Sequence, residues 1–157
     1  MTIDELLADY QQGADRLRSA VVGLSAEQLD ATPVPGKWTI RQVVCHIADF
    51  ETVYSDRMKR VIAEENPGLQ AGDPDLFQRA LRYDLRHVEE ELSLIDIVRR
   101  QLLRILRDLD IEDFQRTGVH SVDGPLTLET LLERITSHIP HHLTFVEEKV
   151  RALRAAE

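Results

Sequence analysis

His46, His138, His141 and His142 are the residues of this chain best suited to chemistry, because imidazole both ligates metals and exchanges protons near neutral pH. His138 and His142 stand four residues apart in RITSHIPHHLTFVEEKV, residues 134–150. On a helix that spacing stacks two rings one turn apart, so both can reach one cation. At about 100° per residue, Leu128, Leu131, Leu132, Ile135, Ile139, Val146, Val150 and Leu153 define one apolar face. His138 and His142 fall within it, and His141 falls on its flank.

A third imidazole lies in IRQVVCHIADFE, where Ile40, Val43, Val44, Ile47, Tyr54 and Met58 define an apolar face and His46 occupies its shoulder. If these two helices adjoin, three nitrogens surround one divalent ion and leave a coordination position open, as in catalytic sites. A metal so held lowers the pKa of a bound water or thiol toward neutrality. Zn²⁺, Ni²⁺ and Fe²⁺ all suit imidazole, so the pattern does not choose among them. The competing reading makes each ring a buried histidine bonded to a carbonyl or carboxylate. It is the simpler account of His46 taken alone, and for the stacked pair the two readings balance.

Glu51 falls near the centre of the apolar face on the His46 helix, and a buried carboxylate needs a partner. Two roles are open to it. It could orient a ligand histidine or act as general base beside the metal, or it could pair with an arginine from another helix. Asp49 points further out, toward a solvated or capping role. Cys45 faces away from the stripe and is a poor fourth ligand. His87 and His120 have no comparable geometric argument, although His120 lies close enough to the last helix to reach the mouth of the site. Pro140 cannot donate to the Thr136 carbonyl, and a bend there is expected on the solvent side.

Four long helices must position these groups, since apolar residues recur at spacings of three and four and no segment alternates for long. The first is expected over Ile3–Val22, with Leu6, Leu7, Tyr10, Leu17, Val21 and Val22 in the core. Ser25 and Gln28 then open a short helical turn. Trp38, Thr39, Gln42 and Val43 form a capping box with a hydrophobic staple for the second helix, which gives Trp38 a structural role and carries the helix to about Glu64. Asp73 and Pro74 start a further helical stretch. Leu81, Leu85, Val88, Leu92, Ile95, Leu102, Leu106 and Leu109 form a third seam that Arg99 interrupts, and Thr127 caps the fourth helix, which runs to about Leu153. LSAEQL…WTIRQVV is echoed by LDIEDF…LTLETLL, suggesting two helical hairpins packed as a four-helix bundle. The fold class is all-α, a four-helix bundle with short connector helices in one domain over residues 1–157.

GKWTIRQVVCHIADFE together with GPLTLETLLERITSHIPHHLTFVEE resembles the DinB/YfiT-like superfamily of metalloenzymes. The shared pattern is Trp-Ser/Thr-hydrophobic before a His-hydrophobic-x-Asp-x-Glu segment, and a late His-x-x-His-His. The resemblance spans about residues 5–150. It implies a four-helix bundle holding a divalent metal on His46, His138 and His142, the set that the angular reading selects. It also implies pairing as a homodimer and chemistry in which the metal activates a low-molecular-weight thiol for transfer, or water for hydrolysis, on a small-molecule substrate. A non-catalytic helical dimer with a structural or sensory metal site is the alternative. Pro140 departs from the small or polar residues usual at its position.

Composition narrows the partners. The 157 residues carry a formal net charge of −9 and no basic stripe, which argues against nucleic acid. No apolar run is long enough for a membrane span, no signal peptide is evident at Met1, and a single cysteine fits a reducing compartment, so a cytoplasmic location is expected.

Overall fold

The computed structural model describes residues 1–156. Its long helices are α1 (Ile3–Val21), α3 (Ile40–Ala63), α5 (Val88–Leu106) and α6 (Leu128–Ala155). Short helices α2 (Ala26–Asp30) and α4 (Pro74–Ala80) lie in the connections. The helix starts follow from their caps. The Thr39 hydroxyl accepts from the Gln42 amide while Gln42 returns a bond to the Thr39 amide. Thr127 accepts from the Thr130 amide at the start of α6. Thr2 and Glu5 form the equivalent box on α1. Each cap satisfies amide groups that the first turn would otherwise leave unpaired.

Helix α1 packs against α5 and α6, and α3 packs against the same two, so α1 and α3 stand diagonally across the bundle. The hairpin arrangement suggested by the internal echo is therefore corrected: the halves share cap chemistry, but the two long helices within each half, α1 with α3 and α5 with α6, do not pack side by side. The core shows the directions. One cluster joins the first half of α1, the second halves of α3 and α5 and the first half of α6. The other joins the opposite halves. Thus α1 and α6 run one way and α3 and α5 the other. Parallel neighbours α3 and α5 require a connection that returns the length of the bundle, which residues 64–87 supply.

Between the two clusters sits a polar layer that touches all four helices. Arg99 on α5 is 1% exposed. It donates to Glu51 on α3 at 2.8 Å, to the Tyr10 carbonyl on α1 at 2.7 Å and to the Ile135 carbonyl on α6 at 3.3 Å. The Tyr10 hydroxyl donates to the other Glu51 oxygen at 2.5 Å. Arg99 breaks the third seam because it is buried there as an ion pair. Gly13 makes room for it, since a Cβ at that position would collide with Arg99 Nη1.

Other expectations are corrected. Val22 is 73% exposed, because α1 ends at Val21 and the chain turns at Gly23. Leu81 and Leu85 are exposed: Arg82 adopts a left-handed conformation, φ 50°, which separates α4 from α5, and Tyr83 is buried instead. Leu109 lies beyond the end of α5. Three short strands also occur in connections where no strand was expected: β1 (Gly68–Leu69), β2 (Thr117–His120) and β3 (Gly124–Thr127). Strand β2 pairs in parallel with β1 and antiparallel with β3. Gly118 allows β2 to lie on the bundle, since a Cβ there would come within 3.0 Å of Val61 on α3 and 2.9 Å of Leu69 on β1.

Candidate metal centre

His46 comes from the first half of α3 and His138 and His142 from the middle of α6, which meet because these helices run antiparallel and adjacent. His46 Nε2 lies 3.0 Å from His138 Nε2 and 3.0 Å from His142 Nε2. The three ligand nitrogens fall within 4.8 Å of one another. Hydrogen bonding cannot satisfy this arrangement. A neutral imidazole nitrogen carries either one proton or one lone pair, so His46 Nε2 can complete a bond with one neighbour and not with both. A cation accepts all three lone pairs at once. Metal–nitrogen distances of about 2.0–2.1 Å set nitrogens on one ion roughly 3 Å apart, which matches the separations seen.

The surroundings keep the rings neutral and hence able to ligate. Burial holds His46 and His142 down to about 4 and His138 down to about 2, with the neighbouring imidazoles adding to the effect for His138 and His142. Aromatic rings supply that dry environment. Phe50 lies 4.7 Å from His46 between ring centres, Trp38 meets His46 edge-on at 5.4 Å, and Phe77 of α4 packs behind Phe50. A cleft of about 280 Å³ reaches His142 between Trp38, Val43 and Phe145.

The other singled-out residues lie around this centre. Glu51 is fully buried and both its oxygens are engaged, by Tyr10 and Arg99. Burial pushes its carboxyl above the usual range against the opposing pull of Arg99. Asp49 forms a bidentate pair with Arg86, which also binds Glu91, so it ties α3 to the start of α5 instead of standing in solvent. Cys45 is buried with its sulfur 3.8 Å from the Tyr83 carbonyl, and burial pushes its thiol up to about 12. It is not among the converging ligands. His141 is exposed, with its ring 5.0 Å from that of His142. His120 Nδ1 accepts from the Asp123 amide in the β2–β3 turn, and His87 is the cap residue of α5. Pro140 is exposed on an otherwise continuous α6, on the solvent side as expected.

Two features went unread in the sequence. Trp38 borders the centre as well as stapling α3. Lys149 is buried in the wall of the same cleft. The signal for Lys149 was available, since it sits three residues after Val146 and four before Leu153, on the apolar stripe itself.

Comparison with known proteins places this arrangement in a family. The family model described as the DinB superfamily matches residues 9–146. The chain belongs to the DinB superfamily. Among its DinB relatives, a protein of Oceanobacillus iheyensis provisionally named a metal-dependent hydrolase is 32% identical over 144 residues, covering 92% of this chain and 83% of the relative. A Bacillus licheniformis protein with the same provisional name is 28% identical over 148 residues, with the same coverage of both. The solved structure of YfiT from Bacillus subtilis, described as a probable metal-dependent hydrolase with an unusual four-helix bundle topology, superposes with a TM-score of 0.90 at 25% identity. That match covers 98% of this chain and 90% of YfiT. The diagonal placement of α1 and α3 belongs to the same overall fold.

Proposed function

We propose that this DinB protein is a metal-dependent enzyme in which His46, His138 and His142 hold one divalent cation, Zn²⁺, Ni²⁺ or Fe²⁺, and which acts on a small molecule. The observation that carries the reading is the convergence of three neutral imidazole nitrogens, from buried His46 and half-buried His138 and His142, at separations that hydrogen bonding cannot satisfy. When bound, such a cation supplies Lewis acidity toward a water, for hydrolysis, or toward a low-molecular-weight thiol, for S-transfer. The chain's own residues prepare the place. The Trp38, Phe50 and Phe145 rings exclude bulk water, which strengthens electrostatic interactions there. Glu51 enters this reading as a positioning residue, because Tyr10 and Arg99 occupy both its oxygens and lock α3 against α1 and α5. The provisional names of the relatives support the metal and favour water over thiol.

The test is elemental analysis of untagged protein purified without chelator or nickel resin. About one equivalent of metal per chain is expected, lost in His142→Ala. Metal-free wild type that resists reconstitution overturns the proposal. A second reading, a structural or sensory metal site without turnover, draws on one observation: Nδ1 of His46 and of His138 is buried with no protein acceptor, so these rings lack the outer hydrogen bond that orients and tunes a metal-ligating imidazole. Under that reading, replacing all three histidines changes stability or assembly, while neither protein turns over esters, amides or thiol–electrophile pairs.

A further inference from the structure

Lys149 lies seven residues beyond His142 on α6, two turns further along the same face. It is 2% exposed. An ammonium has three protons to place, yet among the described residues Lys149 makes one long bond, 3.4 Å to the Phe145 carbonyl, and sits 5.9 Å from the centre of the Phe145 ring. It joins no ion pair among those residues. The contrast with the other buried cations is clear: Arg99 has Glu51, and Arg57 has the Gln70 carbonyl. The adjacent Glu148 attracts Lys149 through space but forms no ion pair with it, and a buried charge left without a bonded counter-charge is costly unless a ligand completes it. Lys149 lines the cleft of about 280 Å³ together with His142, Trp38, Val43, Phe145 and Lys37. On a chain of net charge −9, two lysines around one small cleft make a local positive site.

We propose that Lys149, assisted by Lys37 at the rim, is an anion subsite that takes the carboxylate of a small organic substrate whose reacting group faces His142. The direction of the reacting group rests on the metal-centre reading above; the binding of the carboxylate does not. One buried ammonium with apolar aromatic walls suits a monocarboxylate, whereas a phosphate calls for more donors than the cleft offers.

Trp38 is the only tryptophan and lines the cleft, so its fluorescence reports binding directly. Chelator-treated, metal-free protein is titrated with benzoate and with benzamide, its neutral counterpart. Wild type is expected to bind benzoate about tenfold more tightly than benzamide, the difference that a charge-assisted bond confers. Lys149→Met, which keeps the aliphatic stem, is expected to remove that preference, and Lys149→Arg to retain it. Equal affinities in wild type, or a preference that survives in Lys149→Met, overturn the proposal. The wild-type comparison decides even if Lys149→Met does not fold. Because no metal is present, the two readings fail separately. Protein that takes up metal but shows no benzoate preference overturns the subsite alone, and protein that prefers benzoate but never loads metal overturns the metal centre alone.

Discussion

Replacing Arg99 with methionine tests the polar layer on which the four helices meet. Glu51 is 0% exposed, and without the guanidinium it avoids a lone buried charge by taking up a proton. At pH 7, protonating a carboxyl of ordinary pKa 4.5 costs about 3 kcal/mol, at about 1.4 kcal/mol per pH unit. Loss of the contacts to the Tyr10 and Ile135 carbonyls adds to this, giving about 3–5 kcal/mol, the usual cost of breaking a buried pair. For a chain of this size that lowers Tm by roughly 6–20 °C. The sign of the pH dependence is distinctive. In the variant the folded pKa of Glu51 lies above its unfolded value, so the folded state binds the extra proton. The variant therefore gains stability relative to wild type as pH falls from 7, by up to about 1.4 kcal/mol per unit, until the raised pKa that burial already gives Glu51 in the wild type is reached, below which both proteins gain alike. Urea unfolding followed by Trp38 fluorescence at pH 5, 6 and 7 measures the gap. It should narrow with acidity, and adding Glu51→Gln should recover part of the loss at pH 7 and remove the pH dependence. A gap that is the same at pH 5 and pH 7, or a double variant no more stable than the single one, refutes the reasoning.

Further outcomes follow from the same geometry. Metal-free protein should lose stability as pH falls from 6.5 to about 4, because His46 stays neutral in the fold while the unfolded chain takes up the proton; His46 alone accounts for about 3 kcal/mol, and His46→Gln should flatten the decline in urea midpoints. Gly13→Ala should lower Tm despite alanine's helical advantage of about 1 kcal/mol, since the new methyl collides with Arg99 while Arg99 is held by bonds to three helices; a raised Tm would show that the polar layer yields.

The histidine set was legible because helical periodicity is a local rule. A spacing of four from His138 to His142 places both rings on one face whatever they pack against, and the family pattern joined His46 to them. Helix starts were legible for the same reason: Thr39 with Gln42, and Thr127 with Thr130, act within a single turn. Strands β1 and β2 were not legible, since two to four residues carry no periodicity and their pairing joins positions about fifty residues apart. The break at Arg82 was missed because an apolar three-four spacing continued across it.

Glu51 shows where sequence reasoning stops. Its burial followed from its place on the apolar face of α3, but whether it served a metal or an arginine depended on which helix lay opposite. The amino-acid sequence determined, by itself, the elements that are wound within a turn or two of each residue: caps, faces, the imidazole pair on α6. Only the packed structure decided that α1 and α3 stand diagonally, that Arg99 meets Glu51 at the bundle's centre, and that Lys149 shares a cleft with His142. Those facts are set by contacts between residues far apart in the chain, and these depend on how whole helices bury their faces together.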